Sequence, residues 1–225
     1  MNPVVLRPVA ILRTPFPEKF GVPRQSGLVP EAEGIVEFLP AYAAPEFTRG
    51  LEAFSHVWLI TGFHLNADWS GSAVVRPPRL GGNEAVGVFA SRSPNRPNPL
   101  GLSVVRLLSV TPGAIRVAGV DLVDGTPVYD VKPYLPWSEA IVDARADWAP
   151  EAPAKIADEH VVIPPEFAQQ LGLAKTQLVR QLLKLQLQPS YHDAASRTYG
   201  MSIAGWNVRW RATAQGVEVC EIAQL

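Results

Sequence analysis

Over the first two thirds of the chain, apolar and polar residues alternate in short runs punctuated by glycine and proline, the pattern of strands rather than helices. Residues 4–12, 34–39, 56–63, 85–90, 103–110, 115–120 and 128–131 each predict a strand. The third, His56-Val-Trp-Leu-Ile-Thr-Gly-Phe63, is apolar on both faces and predicts a central one. Pairing resumes over Leu100-Gly-Leu-Ser103, and only residues 45–54 look briefly helical. About seven short strands without regular helices between them predict a barrel or a sandwich. Near Trp148 the pattern changes. Prolines 150, 153, 164 and 165 mark a linker over 148–165 with a short strand at 160–163. Helices are expected over 166–172 and 175–188. In the second, Leu178, Leu182 and Leu185, widened by Val179 and Leu183, form an apolar stripe for packing on this chain or a partner, and Pro189 ends it. The C-terminus returns to strands: Trp206, Val208 and Trp210 alternate with Asn207, Arg209 and Arg211, and Gly216 turns the chain into 217–222. The expectation is a mainly β domain over 1–147 followed by a small α+β domain over 148–225.

Composition narrows the function classes. With 47% apolar and 18% charged residues over 225 positions, the chain has ample material for a buried core. The net charge is −1, so a polyanion would have to meet a local arginine patch rather than a basic protein. One cysteine, Cys220, excludes an internal disulfide and a thiolate zinc site. The start lacks a signal-peptide pattern, and no apolar run approaches the ~18 residues of a membrane span, so a cytoplasmic protein is expected. Phosphate-loop and dinucleotide glycine fingerprints and a serine-hydrolase elbow are absent from the sequence.

Candidate chemistry sits in the loops. Ser91-Arg-Ser-Pro-Asn-Arg-Pro-Asn-Pro-Leu-Gly101 carries three prolines, which forbid a helix and predict a stiff loop holding Arg92 and Arg96. Two fixed guanidinium groups suit an anionic or planar polar ligand; the alternative is a proline-rich corner with solvated arginines. Asp121-Leu-Val-Asp124-Gly-Thr-Pro-Val-Tyr-Asp130-Val-Lys132-Pro-Tyr134 is dense in polar groups, with Asp130, Lys132 and Tyr134 on one strand face. That face suits proton transfer or ligand orientation, or simply a surface ion pair; the turn aspartates equally suit backbone capping. His64 closes the central strand, and Lys19-Phe-Gly-Val-Pro-Arg-Gln-Ser-Gly27 is a basic loop with glycines that admit a close ligand. Arg76-Pro-Pro-Arg79-Leu-Gly-Gly82 adds two arginines on another stiff loop.

Several of these stretches, in one order, resemble a known family. They are Glu18-Lys-Phe-Gly-Val-Pro-Arg-Gln25, Gly50-Leu-Glu-Ala-Phe-Ser-His56, Val75-Arg-Pro-Pro-Arg-Leu-Gly-Gly-Asn83, Gly87-Val-Phe-Ala, Arg92-Ser-x-x-Arg96-Pro-Asn-Pro-Leu-Gly101 and the Asp121-to-Pro136 run. The chain is similar over residues 4–140 to the TrmO/TsaA/YaeB-like tRNA (N6-threonylcarbamoyladenosine) N6-methyltransferases. Asn207-Val-Arg-Trp-Arg211 is similar to the family's C-terminal segment.

The resemblance implies a single-sheeted β-barrel that binds S-adenosylmethionine and acts as a homodimer. By motif, Gln25, Ser26, Gly27, His64, Leu65, Arg92, Leu102, Asp121, Leu122, Val123 and Asp124 would contact that donor, Leu65 through its backbone. It further implies methylation of N6 of threonylcarbamoyladenosine at position 37, next to the anticodon of a threonine tRNA. Arg92, Arg96, Asp124, Asp130 and Lys132 are the candidate catalytic residues. Asp121, Asp124, Asp130 and His64 are open as the proton acceptor. Arg92 and Arg96, or Lys132, would hold the threonyl carboxylate. Arg76, Arg79, Arg209 and Arg211 would meet anticodon stem-loop phosphates. The rival expectations are a non-catalytic tRNA-binding module and a methyltransferase of small metabolites.

Overall fold

The computed structural model describes residues 2–66, 69–77, 84–187 and 197–225. Its first domain holds β1 (Ala10–Arg13), β2 (Glu33–Phe38), β3 (His56–Gly62), a small ribbon of β4 (Val74–Val75) and β5 (Val86–Gly87), then β6 (Leu100–Thr111), β7 (Ala114–Ala118) and β8 (Thr126–Pro133). Six of these close an antiparallel barrel in the order β1-β2-β7-β6-β3-β8 and back to β1. Closure leaves the six strands no free edge. Every second residue points inward: Leu12, Val36, Val57, Leu59, Val105, Ile115, Val117 and Val128 are buried. Each such Val or Leu contributes about 1.5–3 kcal/mol by leaving water.

The register brings the loops that matter to one end. Leu12 pairs with Thr126, Arg13 with Ile35, Glu33 with Ala118 and Gly62 with Leu100. The segments after β1, β3 and β7, and the one before β6, therefore all emerge at the same rim. Three inward hydroxyls, Thr61, Ser103 and Thr126, are buried on the strands reaching this rim.

The second domain follows a short helix α1 (Pro136–Glu139) and comprises β9 (Val161–Val162), α2 (Pro165–Leu171), α3 (Leu173–Lys184), β10 (Thr198–Ile203), β11 (Trp206–Thr213) and β12 (Gly216–Gln224). Its sheet runs β10-β11-β12-β9, with β9 parallel to β12. Leu178, Val179, Leu182 and Leu183 of α3 join Val208, Trp210 and Val219 in one core.

The mainly β architecture agrees with the sequence reading, and the barrel replaces the sandwich alternative. Several bounds differ. The run over 4–12 makes its backbone bonds from Val9, which meets Val128 and Leu39, and is a strand from Ala10; Val4 and Val5 stay exposed. The run over 115–120 stops at Ala118, where Gly119 turns left-handed at φ +81°. Residues 85–90 pair only at Val86 and Gly87 before a 3-10 turn, and residues 45–54 form two 3-10 turns rather than a helix. The helix expected over 175–188 begins at Leu173 and ends at Lys184; Gln188 and Pro189 lie outside the described residues. Its apolar stripe is used within the chain and is unavailable to a partner. Strand β10 and helix α1 were not expected from the pattern.

Candidate active site at the loop end of the barrel

Asp121 is the centre of the rim. It follows β7 and lies beside the first half of β6, where the inward hydroxyl of Ser103 donates to its Oδ1 at 2.7 Å. The backbone amide of Ser26 also bonds this carboxylate. Burial pushes the Asp121 carboxyl above the ordinary carboxylate range; the bonds from Ser103 and from the backbone of Asp121 and Ser26, with attraction from Arg92, pull it back in part. A partly buried carboxylate with a raised pKa suits general-base chemistry.

The loop facing it is built by close backbone contact. Gly27 N–H donates to Gly119 O at 2.9 Å. A side chain on Gly119 would press within 3.2 Å of the Gly27 backbone. Gly119 thus serves both its left-handed turn and this approach. Arg92 Nη1 donates to Gln25 Oε1 at 2.5 Å, joining the proline-rich loop to the same segment. That loop is stiffened by Ser91 and Ser93, whose hydroxyls accept from Ser93 N–H and Asn95 N–H, and by Arg96, which donates to Ser91 O at 3.3 Å.

Other rim residues play different parts. The carbonyl of Leu122 accepts from the Thr14 hydroxyl, and that of Val123 from the Thr126 hydroxyl. Asp124 Oδ1 accepts from Thr14 N–H at 2.9 Å, while its own N–H donates to Phe16 O. Leu122 and Asp124 hold the turn to the segment after β1, and Val123 closes the turn onto the start of β8. His64 sits in the turn after β3 with its ring exposed and close to Gly125. Leu65 and Leu102 offer exposed apolar surface, Leu102 at 60%. His64 also lines a cavity of about 190 Å³ with Leu6, Phe63, Asn98, Leu100 and Tyr129.

The structure therefore gathers Gln25, Ser26, Gly27, Arg92, Asp121, Leu122, Val123 and Asp124 around one rim, with His64 and Leu65 in the turn after β3. Leu102 faces outward from β6, opposite Ile60, which pairs on its other side with Asp130. It does not bring Asp130 and Lys132 to Asp121. Those two pair with Ile60 and Trp58 across the sheet and point outward, joined to each other at 2.8 Å in a solvent-exposed ion pair. The shared face with Tyr134 is real, and Tyr134 packs on His56 and Trp58 there. Arg209 and Arg211 are exposed but paired with Glu221 and Glu218. Arg76 is exposed, and Arg79 lies outside the described residues. Ser103 was missed by the sequence reading; its only signal is a hydroxyl at an inward position between Gly101 and Val105.

A partly buried carboxylate beside backbone amides, with a guanidinium across the loop, suits a small polar ligand that carries a positive charge. Comparison with known proteins points the same way. The profile of the tRNA-methyltransferase O N-terminal domain matches residues 11–140, and that of the TrmO C-terminal domain matches 153–225. The tRNA (adenine(37)-N6)-methyltransferase of Escherichia coli is 43% identical over 223 residues, covering 94% of each chain. The mouse protein of the same name is 42% identical over 134 residues, which is 59% of this chain and 31% of the mouse protein. A crystal structure of TrmO from Pseudomonas aeruginosa superposes with a TM-score of 0.81 at 34% identity, covering 99% of both chains.

Proposed function

From the premise that the chain belongs to the tRNA-methyltransferase O family, we propose the reaction it catalyses and the residues that carry it. The chain is an S-adenosylmethionine-dependent tRNA (adenine-N6)-methyltransferase. The finer reading is methylation of N6 on threonylcarbamoyladenosine at position 37 of a threonine tRNA. The single observation that carries the site is the Ser103–Asp121–Ser26 arrangement at the rim.

The residues present fit the donor. S-adenosylmethionine supplies a methyl group already activated on a sulfonium. Asp121 offers the cation an anionic neighbour, the backbone of Gln25, Ser26 and Gly27 approaches closely enough to hold the amino-acid end, and Leu65 and Leu102 present apolar surface to the purine. Arg92, tied to Gln25, orients that end. The attacking nitrogen is a weak nucleophile because its lone pair is delocalised; its bond to the methyl carbon forms as the carbon–sulfonium bond breaks and leaves a neutral thioether. Asp121 accepts the proton that leaves it, and burial makes this carboxylate more basic than an ordinary one. Alignment does most of the remaining work, since the methyl needs no further activation.

Arg96, held over the rim by Ser91 O, is assigned to the threonyl carboxylate, a planar anion that suits a guanidinium fork. Asp124 supports the turn rather than the proton. Asp130 and Lys132 serve the outer wall. Arg76 is assigned to anticodon stem-loop phosphates, with Arg209 and Arg211 available once their glutamates exchange for phosphate. We further assign a homodimer, supported by the exposed Leu100 on the barrel wall, and a cytoplasmic location, supported by the tRNA substrate; among the described residues no helix is long and apolar enough to cross a membrane. The division between domains is placed at residues 147 and 148.

The test is transfer of labelled methyl from S-adenosylmethionine to threonine tRNA with and without prior threonylcarbamoylation, followed by nucleoside analysis. Label on N6 of the modified adenosine alone is expected. Equal labelling of unmodified tRNA overturns the substrate, and no labelling of either overturns the reaction.

A further inference from the structure

The segment carrying Gln25, Ser26 and Gly27 leaves the barrel after β1, crosses to the second domain and returns. On its way out it is fastened to the end of β10, the edge strand of the second sheet, and to the turn that follows it. Pro15 O accepts from Ala204 N–H at 2.8 Å, and Glu18 Oε1 accepts from Ser202 N–H at 2.9 Å. An edge strand leaves an N–H such as that of Ser202 without a neighbouring strand, and this segment covers it. Phe20 then stacks on the fully buried Trp210, with centroids 6.0 Å apart and planes within 8°. Gly21, at φ +94°, lies so close to Met201 that an added side chain would come within 3.3 Å of it. On the way back, Leu28 O accepts from Lys155 Nζ at 2.5 Å. The three donor-contacting residues therefore lie between two fixed points on a different domain.

We propose that the second domain positions the donor loop of the barrel, with Glu18 and Lys155 as positioning residues that touch neither donor nor acceptor. The inference rests on the methyltransferase reading given above. The physical basis is pre-organisation: a loop held at both ends gives up little freedom when a ligand arrives, so the hold appears as donor affinity. Glu18 bonds Ser202 and Lys155 bonds Leu28, neither of them Asp121 or its partners, so turnover at saturating donor should be unaffected.

The experiment uses the full chain. Binding of S-adenosylmethionine is measured by calorimetry for the wild type, Glu18→Ala, Lys155→Ala and the double variant, with KM for the donor and kcat alongside. The double variant should raise Kd and KM roughly tenfold, the scale of one or two lost charge-assisted hydrogen bonds, with kcat within about twofold. Glu18→Gln keeps an oxygen facing Ser202 N–H and should restore most of the affinity. Because Glu18 is exposed, Glu18→Ala by itself should fold normally and decides the matter if the double variant does not fold. A double variant that folds and binds the donor as the wild type does overturns the positioning role alone. A wild type that takes up no donor overturns the methyltransferase reading itself.

Discussion

Asp121 and Asp130 stand nine positions apart in one polar stretch and carry the same carboxylate, yet they occupy opposite electrostatic worlds. Asp121 is packed behind the rim, receives a hydrogen bond from a buried serine and resists ionisation. Asp130 stands on the outer wall; its Oδ2 lies 2.8 Å from Lys132 Nζ, and its Oδ1 accepts from the N–H of the next residue. Desolvation makes the first useful for moving a proton, whereas water and a mobile ammonium screen the second. Residue type alone does not mark a catalytic group; the dielectric around it does.

Exchanging the two carboxylates for amides tests this contrast most strongly. Asp121→Asn should lower kcat by about a hundredfold or more, the lower end of what a positioned base contributes, while Asp130→Asn stays within about twofold; equal losses in a methyl-transfer assay would erase the distinction. Stability should move the other way. An acid whose folded pKa is raised binds its proton more tightly when native, so folding is penalised as pH rises from the ordinary carboxylate range through the raised one. Asp121→Asn should therefore melt higher than the wild type at pH 8, and the gap should narrow in acid.

Arg92→Ala removes the contact to Gln25 and should weaken donor binding roughly tenfold, whereas Lys132→Ala leaves it unchanged by calorimetry. Ser103→Ala sharpens the comparison further. Without the hydroxyl that favours its charged form, Asp121 should titrate higher still, and the acid limb of the pH–rate profile should move to higher pH. The same limb in Lys132→Ala should stay in place. The smallest effect belongs to Arg211→Ala, paired with Glu218 in the open; affinity for tRNA should fall by less than a factor of about three, with a shallower salt dependence. A larger loss would move the second sheet from the margin of RNA contact to its centre.

Much of the barrel was legible because strand periodicity and turn residues act over a few positions. Inward Val57 and Leu59, Asp124-Gly125 at its turn and the prolines of 91–101 each declare their local geometry. Val4 and Val5 misled for the same reason: they alternate like a strand, but pairing needs a neighbour, and none comes. The site was legible mainly through motifs resembling a known family, which located the rim residues without distinguishing their duties.

The chain's own order of residues determined which segments extend, where they turn and which side faces the core, since these follow from sterics and apolar burial within each segment. Only the closed barrel decided that Ser103 would meet Asp121 eighteen residues away and that Asp130 would face water. Only the docked second sheet decided that Glu18 would meet Ser202. These outcomes depend on register and on exclusion of solvent, which arise when distant segments pack and have no signature in any one of them.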